Sequence, residues 1–254
     1  MIVIPMAGLS RRFELAGHSL PKYMLPLWGK YVFDWAVSSF LENFEGQRFL
    51  FITRDIHQTE AFVGARCREL GIERYEIVVL SHVTRGQAET VMEGLSRSTH
   101  AAEDPVTIFN IDTFRPRFTY PDRFDVSLVD GYLEVFRGSG ANWSYVREGT
   151  ARPYGVAETA EKREISDLCC TGLYHFRRAD LFEQAYAARA RRDPRELSES
   201  ELYVAPLYNE LIKAGHDIRY SPVPRESVIF CGTPAEYEEL IREGHGAYPR
   251  PHRK

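Results

Sequence analysis

The sequence predicts an α/β fold: a mostly parallel central sheet with helices on both faces, followed by a small antiparallel region. Short β-branched or aromatic runs recur at residues 2–6, 49–53, 77–80 and 106–109, with helix-period patterns between them, and this alternation predicts βαβ units. The early runs are continuously apolar, which marks interior strands of a parallel sheet covered on both faces. After residue 124 the pattern changes to two alternating runs over residues 125–136, centred on Asp130-Gly131, the dipeptide that favours a type I′ hairpin.

Helical patterns lie between the strands of the first half, two of them pronounced. Phe33, Ala36, Val37, Phe40 and Leu41 form one apolar face, and Ala88, Val91, Met92 and Leu95 form another, each at helical spacing. Ligands are expected at the carboxyl ends of the strands. In the second half an apolar strand over residues 165–176 precedes a helix at 181–190 and a charged stretch at 189–201. Val204, Leu207, Tyr208, Leu211 and Ile212 make a further helical face, with Gly215 as its C-cap. Residues 247–254 are Pro-rich and basic and are expected to be a loose tail.

Composition narrows the function classes. With 44% hydrophobic and 27% charged residues, the chain falls among globular proteins and away from disordered ones. A net charge of -4 argues against a nucleic-acid partner and leaves a small anionic ligand in a local basic pocket. Cys67, Cys169, Cys170 and Cys231 form no CxxC pair and sit in apolar runs, so buried free thiols in a reducing cytoplasm are expected. The apolar run before Arg11 and Arg12 is too short for a signal-peptide core or a membrane span; a cytoplasmic location with no membrane partner follows as an expectation.

The candidate chemistry begins after the first strand. Ala7-Gly8-Leu9-Ser10-Arg11-Arg12-Phe13 is a small-residue turn that can bring backbone N–H groups against phosphate, with two guanidinium groups beside it. A plain βα turn with surface arginines is the alternative. Lys22, between Pro21 and Pro26, can hold an ammonium over a triphosphate from a fixed loop. Gln87, in Arg85-Gly86-Gln87-Ala88, carries an amide able to read a base edge as donor and acceptor, although the same residues suit a helix N-terminus. Asn110 and Asp112 end the strand at 106–109 two residues apart and so are expected on one face. A carboxylate at that strand end suits Mg²⁺, which takes one or two carboxylates plus phosphate oxygens.

The A-G-L-S-R-R-F turn with the later P-K-Y-M-L-P-L resembles the nucleotide-binding signature of the sugar-phosphate nucleotidyltransferase (pyrophosphorylase) family. That family implies a Rossmann-like three-layer α/β/α fold. It also implies one domain over residues 1–246, with a nucleotide-binding half at 1–124 and an acceptor-binding half at 125–246. Matched residue by residue, Gly8 takes the first signature glycine, Arg12 the arginine and Lys22 the P-K lysine, whereas Ser10 replaces the second glycine. Ala7, Gly8, Leu9, Ser10, Arg11, Arg12, Lys22, Gly86, Gln87, Ala88 and Asn110 are thereby expected to bind the nucleotide, and Asp112 to bind Mg²⁺.

Glu161-Lys162 resembles the family's E-K pair, whose lysine contacts the acceptor's phosphate. Gly155 and Gly172 lie in segments that resemble those where main chain approaches the acceptor, and Glu201 stands where an acidic residue is common. Asn142 and Trp143, in a glycine-flanked loop, complete the expected acceptor set; packing of the tryptophan is the alternative there. One departure stands out: Cys231-Gly232-Thr233-Pro234 puts Gly232 where the family has an aspartate that completes the metal site.

Within the family, R-G-Q-A-E-T-V, F-N-I-D-T-F and E-I-S-D-L-C-C-T-G-L-Y resemble the capsule-cluster nucleotidyltransferases, which include CTP:phosphoglutamine cytidylyltransferases. The resemblance implies transfer of CMP from CTP to a phosphorylated small molecule with release of pyrophosphate, Arg12, Lys22, Asp112 and Lys162 being catalytic. Two rival readings stand beside this one. A nucleotide-sugar glycosyltransferase would need a D-x-D where Asn110-Ile111-Asp112 stands, and a non-catalytic nucleotide-binding module would account for Gly232 but leave the retained charges without a purpose.

Overall fold

The computed structural model describes residues 1–192 and 201–244; the expected tail at 247–254 and most of the charged stretch at 189–201 lie outside them. In chain order the first half holds strand β1 (Ile2–Pro5), helix α1 (Arg11–Leu15), the short strands β2 (Pro26–Leu27) and β3 (Lys30–Tyr31), and helix α2 (Val32–Val37). Then come β4 (Phe49–Arg54), α3 (Thr59–Leu70), β5 (Tyr75–Leu80), α4 (Gln87–Arg97), β6 (Val106–Phe109) and β7 (Thr113–Phe114). The second half holds β8 (Gly131–Arg137), β9 (Ser144–Glu148), β10 (Val156–Glu161), β11 (Leu168–Phe176) and α5 (Ala179–Ala190). It ends with α6 (Tyr208–Lys213), β12 (Ile218–Pro222), β13 (Ile229–Phe230) and α7 (Pro234–Glu243). The α/β architecture is as expected, a mostly parallel central sheet with flanking helices and a small antiparallel sheet. No helix among the described residues is long and apolar enough to cross a membrane.

The chain forms two compact units. The first comprises Met1–Val3, Thr84–Phe109 and Tyr120–Arg225. In it Ile2 and Val3 of β1 pair in parallel with Thr107 and Ile108 of β6. The long, fully buried β11 runs antiparallel to β6 and β8, and β12 extends β8 in parallel. The β8–β11 register shifts between Cys170 and Tyr174; Gly172, at φ +98°, supplies the positive φ that such a bulge needs. Helix α4 buries Ala88, Val91 and Leu95 completely, as its periodicity predicts, whereas Met92 of the same face is half-buried.

The second unit comprises Ile4–Val83, Asn110–Thr119 and the segment from Glu226. Here β4 and β5 pair in parallel from Phe49↔Tyr75 to Arg54↔Leu80, and Met6 N–H donates to Ile52 O at 2.8 Å. Phe49 to Thr53 are wholly buried, matching the run read as an interior strand. Two small antiparallel sheets lie in this unit, β13 with β7 and β2 with β3.

Three local expectations are corrected. Residues 125–128 form a turn and β8 starts only at Gly131, so there is no hairpin about Asp130-Gly131. Asp130 is instead held by Arg177, His216 and the Asp217 N–H. Gly131 is small because a Cβ there would stand 2.7 Å from His175 O. Leu41 is 48% exposed, since α2 gives way to a 3₁₀ turn kinked at Phe40 and the expected helical face ends there. The apolar strand begins at Leu168, not at residue 165.

The C-terminal cap of α6 is as expected. Gly215, at φ +87°, donates to Ile212 O while His216 N–H donates to Leu211 O, the paired bonds of a Schellman motif. All four cysteines are free and buried. Burial pushes the Cys67 thiol up to about 12 and that of Cys169 to about 11, and drives those of Cys170 and Cys231 upward as well.

Candidate active site

In the second unit, Ile4 and Pro5, the end of β1, lead into the Ala7–Ser10 turn. Ser10 sits at φ +51°, ψ +28° and its carbonyl accepts from Phe13 and Glu14 to start α1. The serine that replaces the family's second glycine therefore takes the left-handed conformation that glycine adopts without strain. Phe13, 1% exposed, anchors α1 edge-on to Tyr237. Gly8, Arg11 and Arg12 face solvent. Arg54, at the carboxyl end of β4, donates from Nε to Ala7 O at 2.8 Å, tying the turn to the neighbouring strand; its other guanidinium nitrogens bond to no described residue.

Pro21 sets an extended entry into a single 3₁₀ turn over Lys22–Met24, and Tyr23 locks that turn by burying its ring and bonding Thr59 through its hydroxyl. Lys22 is thereby held with its ammonium donating to Asp112 Oδ2. Asp112 is not on a strand: β6 ends at Phe109, and Thr113 N–H turns back to Asn110 O at 3.3 Å. The strand alternation expected to put Asn110 and Asp112 on one face thus does not apply. The turn places Asp112 by another route, its carbonyl accepting from Cys231 N–H at 2.8 Å.

Gly232 lies against the same carboxylate. A Cβ at Gly232 would stand 3.1 Å from Asp112 Oδ2 and 3.7 Å from Glu236 Oε2. Glu236 is engaged as the acid of a capping box, accepting from Gly232 N–H and Thr233 N–H at 2.9 Å each while Thr233 Oγ1 accepts from Glu236 N–H. Thr233-Pro234-Ala235-Glu236 carries the sequence signature of that box. Among the described residues no group of three or more His, Cys, Asp or Glu side chains forms a ready-made metal cage.

The other predicted site residues belong to the first unit. Gly86 caps α4 at φ +147°, and its role is close approach: a Cβ there would stand 2.6 Å from Leu202 N and O. Arg85 and Glu89 pair beside it. Burial works to raise the Glu89 carboxyl, but the hydrogen bonds from Arg85 outweigh it and hold the group below the usual carboxylate range.

Lys162 follows β10 in a left-handed conformation, φ +53°, with its N–H on Trp143 O at 2.9 Å. Its ammonium donates to Tyr203 Oη at 2.5 Å and lies 4.6 Å from that ring's centroid. Partial burial opposes the charge on Lys162, yet the Tyr203 oxygen, with Glu161 and Glu201 nearby, raises its pKa above the ordinary lysine value. Glu161 is nearly buried and accepts from Ser144 Oγ. The Trp143 ring packs edge-on against Phe136, centroids 5.1 Å apart, so packing is at least part of its role. Asn142 is exposed, and Gly155 closes a turn on Arg152 O; neither bonds to the Lys162 cluster. Tyr203 and Arg54 escaped sequence reading, the first because it adjoins a charged stretch, the second because an arginine at a strand end is common.

No protein-family model matches the sequence, and no curated protein matches it. Solved structures do. A nucleoside-diphosphate-sugar pyrophosphorylase from Vibrio cholerae RC9 shares 48% identity, with 95% of this chain and 100% of that chain covered and a TM-score of 0.90. An inositol-1-phosphate CTP transferase from T. maritima is 13% identical over 96% of both chains, TM-score 0.72. A putative glucose-1-phosphate thymidylyltransferase from Bacillus anthracis is 14% identical over 100% of this chain and 97% of that one, TM-score 0.74. The last two share the fold. The first shares nearly half its residues over nearly the whole of both chains, and on that ground the chain belongs to the nucleoside-diphosphate-sugar pyrophosphorylase family of sugar-phosphate nucleotidyltransferases.

Proposed function

We propose that this chain transfers a nucleoside monophosphate from a nucleoside triphosphate to a phosphorylated small molecule, releasing pyrophosphate in the cytoplasm. The observation that carries the reading is the Lys22–Asp112 pair, a cation and a carboxylate joined in the unit that also holds the Ala7–Ser10 turn. The attacking acceptor phosphate needs no general base, since a phosphate monoester with a second pKa near ~6 is largely dianionic at neutral pH. Catalysis then rests on positioning and charge neutralisation. Arg12 and Lys22 counter the triphosphate, backbone N–H groups of the turn approach its oxygens, and Lys162 holds the acceptor phosphate.

A divalent cation fits the residues present. Asp112 offers one carboxylate, and Gly232 leaves open the space beside it that a side chain would fill; Mg²⁺ accepts such a site when phosphates and water supply its other ligands. Asp112 would hold the ion, which when bound supplies further neutralisation of phosphate charge.

The finer reading is CTP as donor and phosphoglutamine as acceptor, supported by the capsule-cluster motifs. A second reading, a sugar 1-phosphate acceptor with another triphosphate, is favoured by the likeness to the Vibrio cholerae nucleoside-diphosphate-sugar pyrophosphorylase. A pyrophosphate-release screen of the four triphosphates against phosphoglutamine, sugar 1-phosphates and phosphocholine separates them. CTP with phosphoglutamine is the expected productive pair, and absence of release from every pair would sink the nucleotidyltransferase reading itself.

A further inference from the structure

The turn at residues 84–88 and the segment around Leu202 are clasped together. Leu202 N–H donates to Arg85 O at 2.9 Å, and Leu202 O accepts from Ala88 N–H at 2.9 Å. This two-bond clasp closes only because position 86 has no side chain, as the 2.6 Å approach of Leu202 main chain demands. Leu202 itself is 6% exposed. The next residue, Tyr203, holds the Lys162 ammonium both through its hydroxyl and against its ring.

Beyond Tyr203 the segment is tied to β10, the strand that leads into Lys162. Thr159 Oγ1 donates to Ala205 O at 2.7 Å. The Asn209 side-chain amide bonds both main-chain groups of Thr159 at 2.8 Å, much as a paired strand would. The segment is thus a strap, fastened at one end to the 84–88 turn and at the other to the base of Lys162.

A lysine has four rotatable side-chain bonds, and immobilising it on binding costs conformational entropy. A hydroxyl acceptor and an aromatic face that fix the ammonium beforehand remove part of that cost. We propose that Tyr203 is a positioning residue for the acceptor, aiming the Lys162 ammonium, and that the strap makes this aim depend on the 84–88 turn. The proposal rests on the reading of that turn as nucleotide-binding and of Lys162 as the acceptor's phosphate contact. Its consequence is that a disturbance at the turn is felt in acceptor affinity.

The test uses the full-length enzyme, its productive substrate pair and pyrophosphate release, with thermal melting to confirm folding. Tyr203→Phe, which keeps the ring and removes the hydroxyl, is expected to raise the acceptor KM roughly 3- to 10-fold and Tyr203→Leu further, with the triphosphate KM within about twofold of wild type. Gly86→Ala, which forces the clasp apart, is expected to raise the acceptor KM as well as the triphosphate KM; if that variant does not fold, the tyrosine variants decide. An active wild type whose Tyr203→Leu variant keeps a normal acceptor KM overturns this proposal and leaves the catalytic reading standing. A wild type inactive with every substrate pair removes both.

Discussion

The Lys22 ammonium is bonded to the carboxylate of Asp112, ninety positions later in the chain, while the main chain of Gly232 lies against the same carboxylate. Each charge is partly shielded by the other, with 23% and 18% of the side chains exposed, so the pair is internally neutral until a substrate arrives. A polyanion carrying a cation suits such a pair, because it can give Lys22 a phosphate partner and Asp112 a metal partner at once.

Lys22→Ala and Arg12→Ala are expected to lower kcat on the order of 10²-fold each, the loss associated with removing one preorganised electrostatic donor. Arg12 is exposed, so its replacement should leave the melting temperature unchanged. Steady-state kinetics with the productive pair checks this, and wild-type turnover in either variant refutes the role given to that residue.

Asp112→Asn keeps the shape of the side chain and removes its charge. Turnover that depends on added Mg²⁺ is expected to vanish, while triphosphate binding, followed by calorimetry, persists. Normal metal dependence in the variant would show that the ion is held elsewhere.

Gly232→Asp restores the carboxylate that the family pattern expects. Its Cβ must settle 3.1 Å from Asp112 Oδ2, so without a divalent ion two carboxylates share the single Lys22 ammonium. The expected outcome is a lower melting temperature at neutral pH without Mg²⁺, and a roughly tenfold fall in the Mg²⁺ concentration needed for half-maximal turnover, since added ligand charge tightens divalent binding. An unchanged Mg²⁺ requirement would mean that position 232 does not border the metal.

His175 is buried at 4% exposure, bonded to Thr107 at 2.9 Å and stacked on Tyr132. Burial, aided by the N-terminal ammonium, pushes its imidazole down to about 3 from the usual 6.5. The unfolded chain therefore takes up a proton near pH 6.5 that the folded chain refuses until about pH 3. Stability is full above the first value and falls through that window by roughly 1.4 kcal/mol per pH unit. Urea unfolding at pH 7 and pH 5 measures the difference, and His175→Gln should reduce it. Equal acid sensitivity in the variant would assign the effect to other groups.

Much of the fold was legible because buried parallel strands spell themselves as unbroken apolar runs. The four early strands match their expected positions to within about two residues. The failures have physical causes. Asp130-Gly131 has the spelling of a turn, but long-range bonds from Arg177, His216 and Asp217, invisible to local reading, set its conformation. Lys22 and Asp112 were each named from sequence, yet their direct pairing joins distant segments and needed coordinates. Tyr203 was missed for a similar reason: its meaning lies in what it touches forty-one positions earlier.

The four buried thiols make the protein its own reporter of opening. Cys169 and Cys170 lie in one compact unit, Cys67 and Cys231 in the other. With their pKa values raised by burial, they should be silent toward iodoacetamide while the native structure is closed. Alkylation in dilute urea, read cysteine by cysteine by mass spectrometry, then times the breathing of each unit without any engineered label. A substrate that protects one pair of cysteines more than the other reveals which unit it braces.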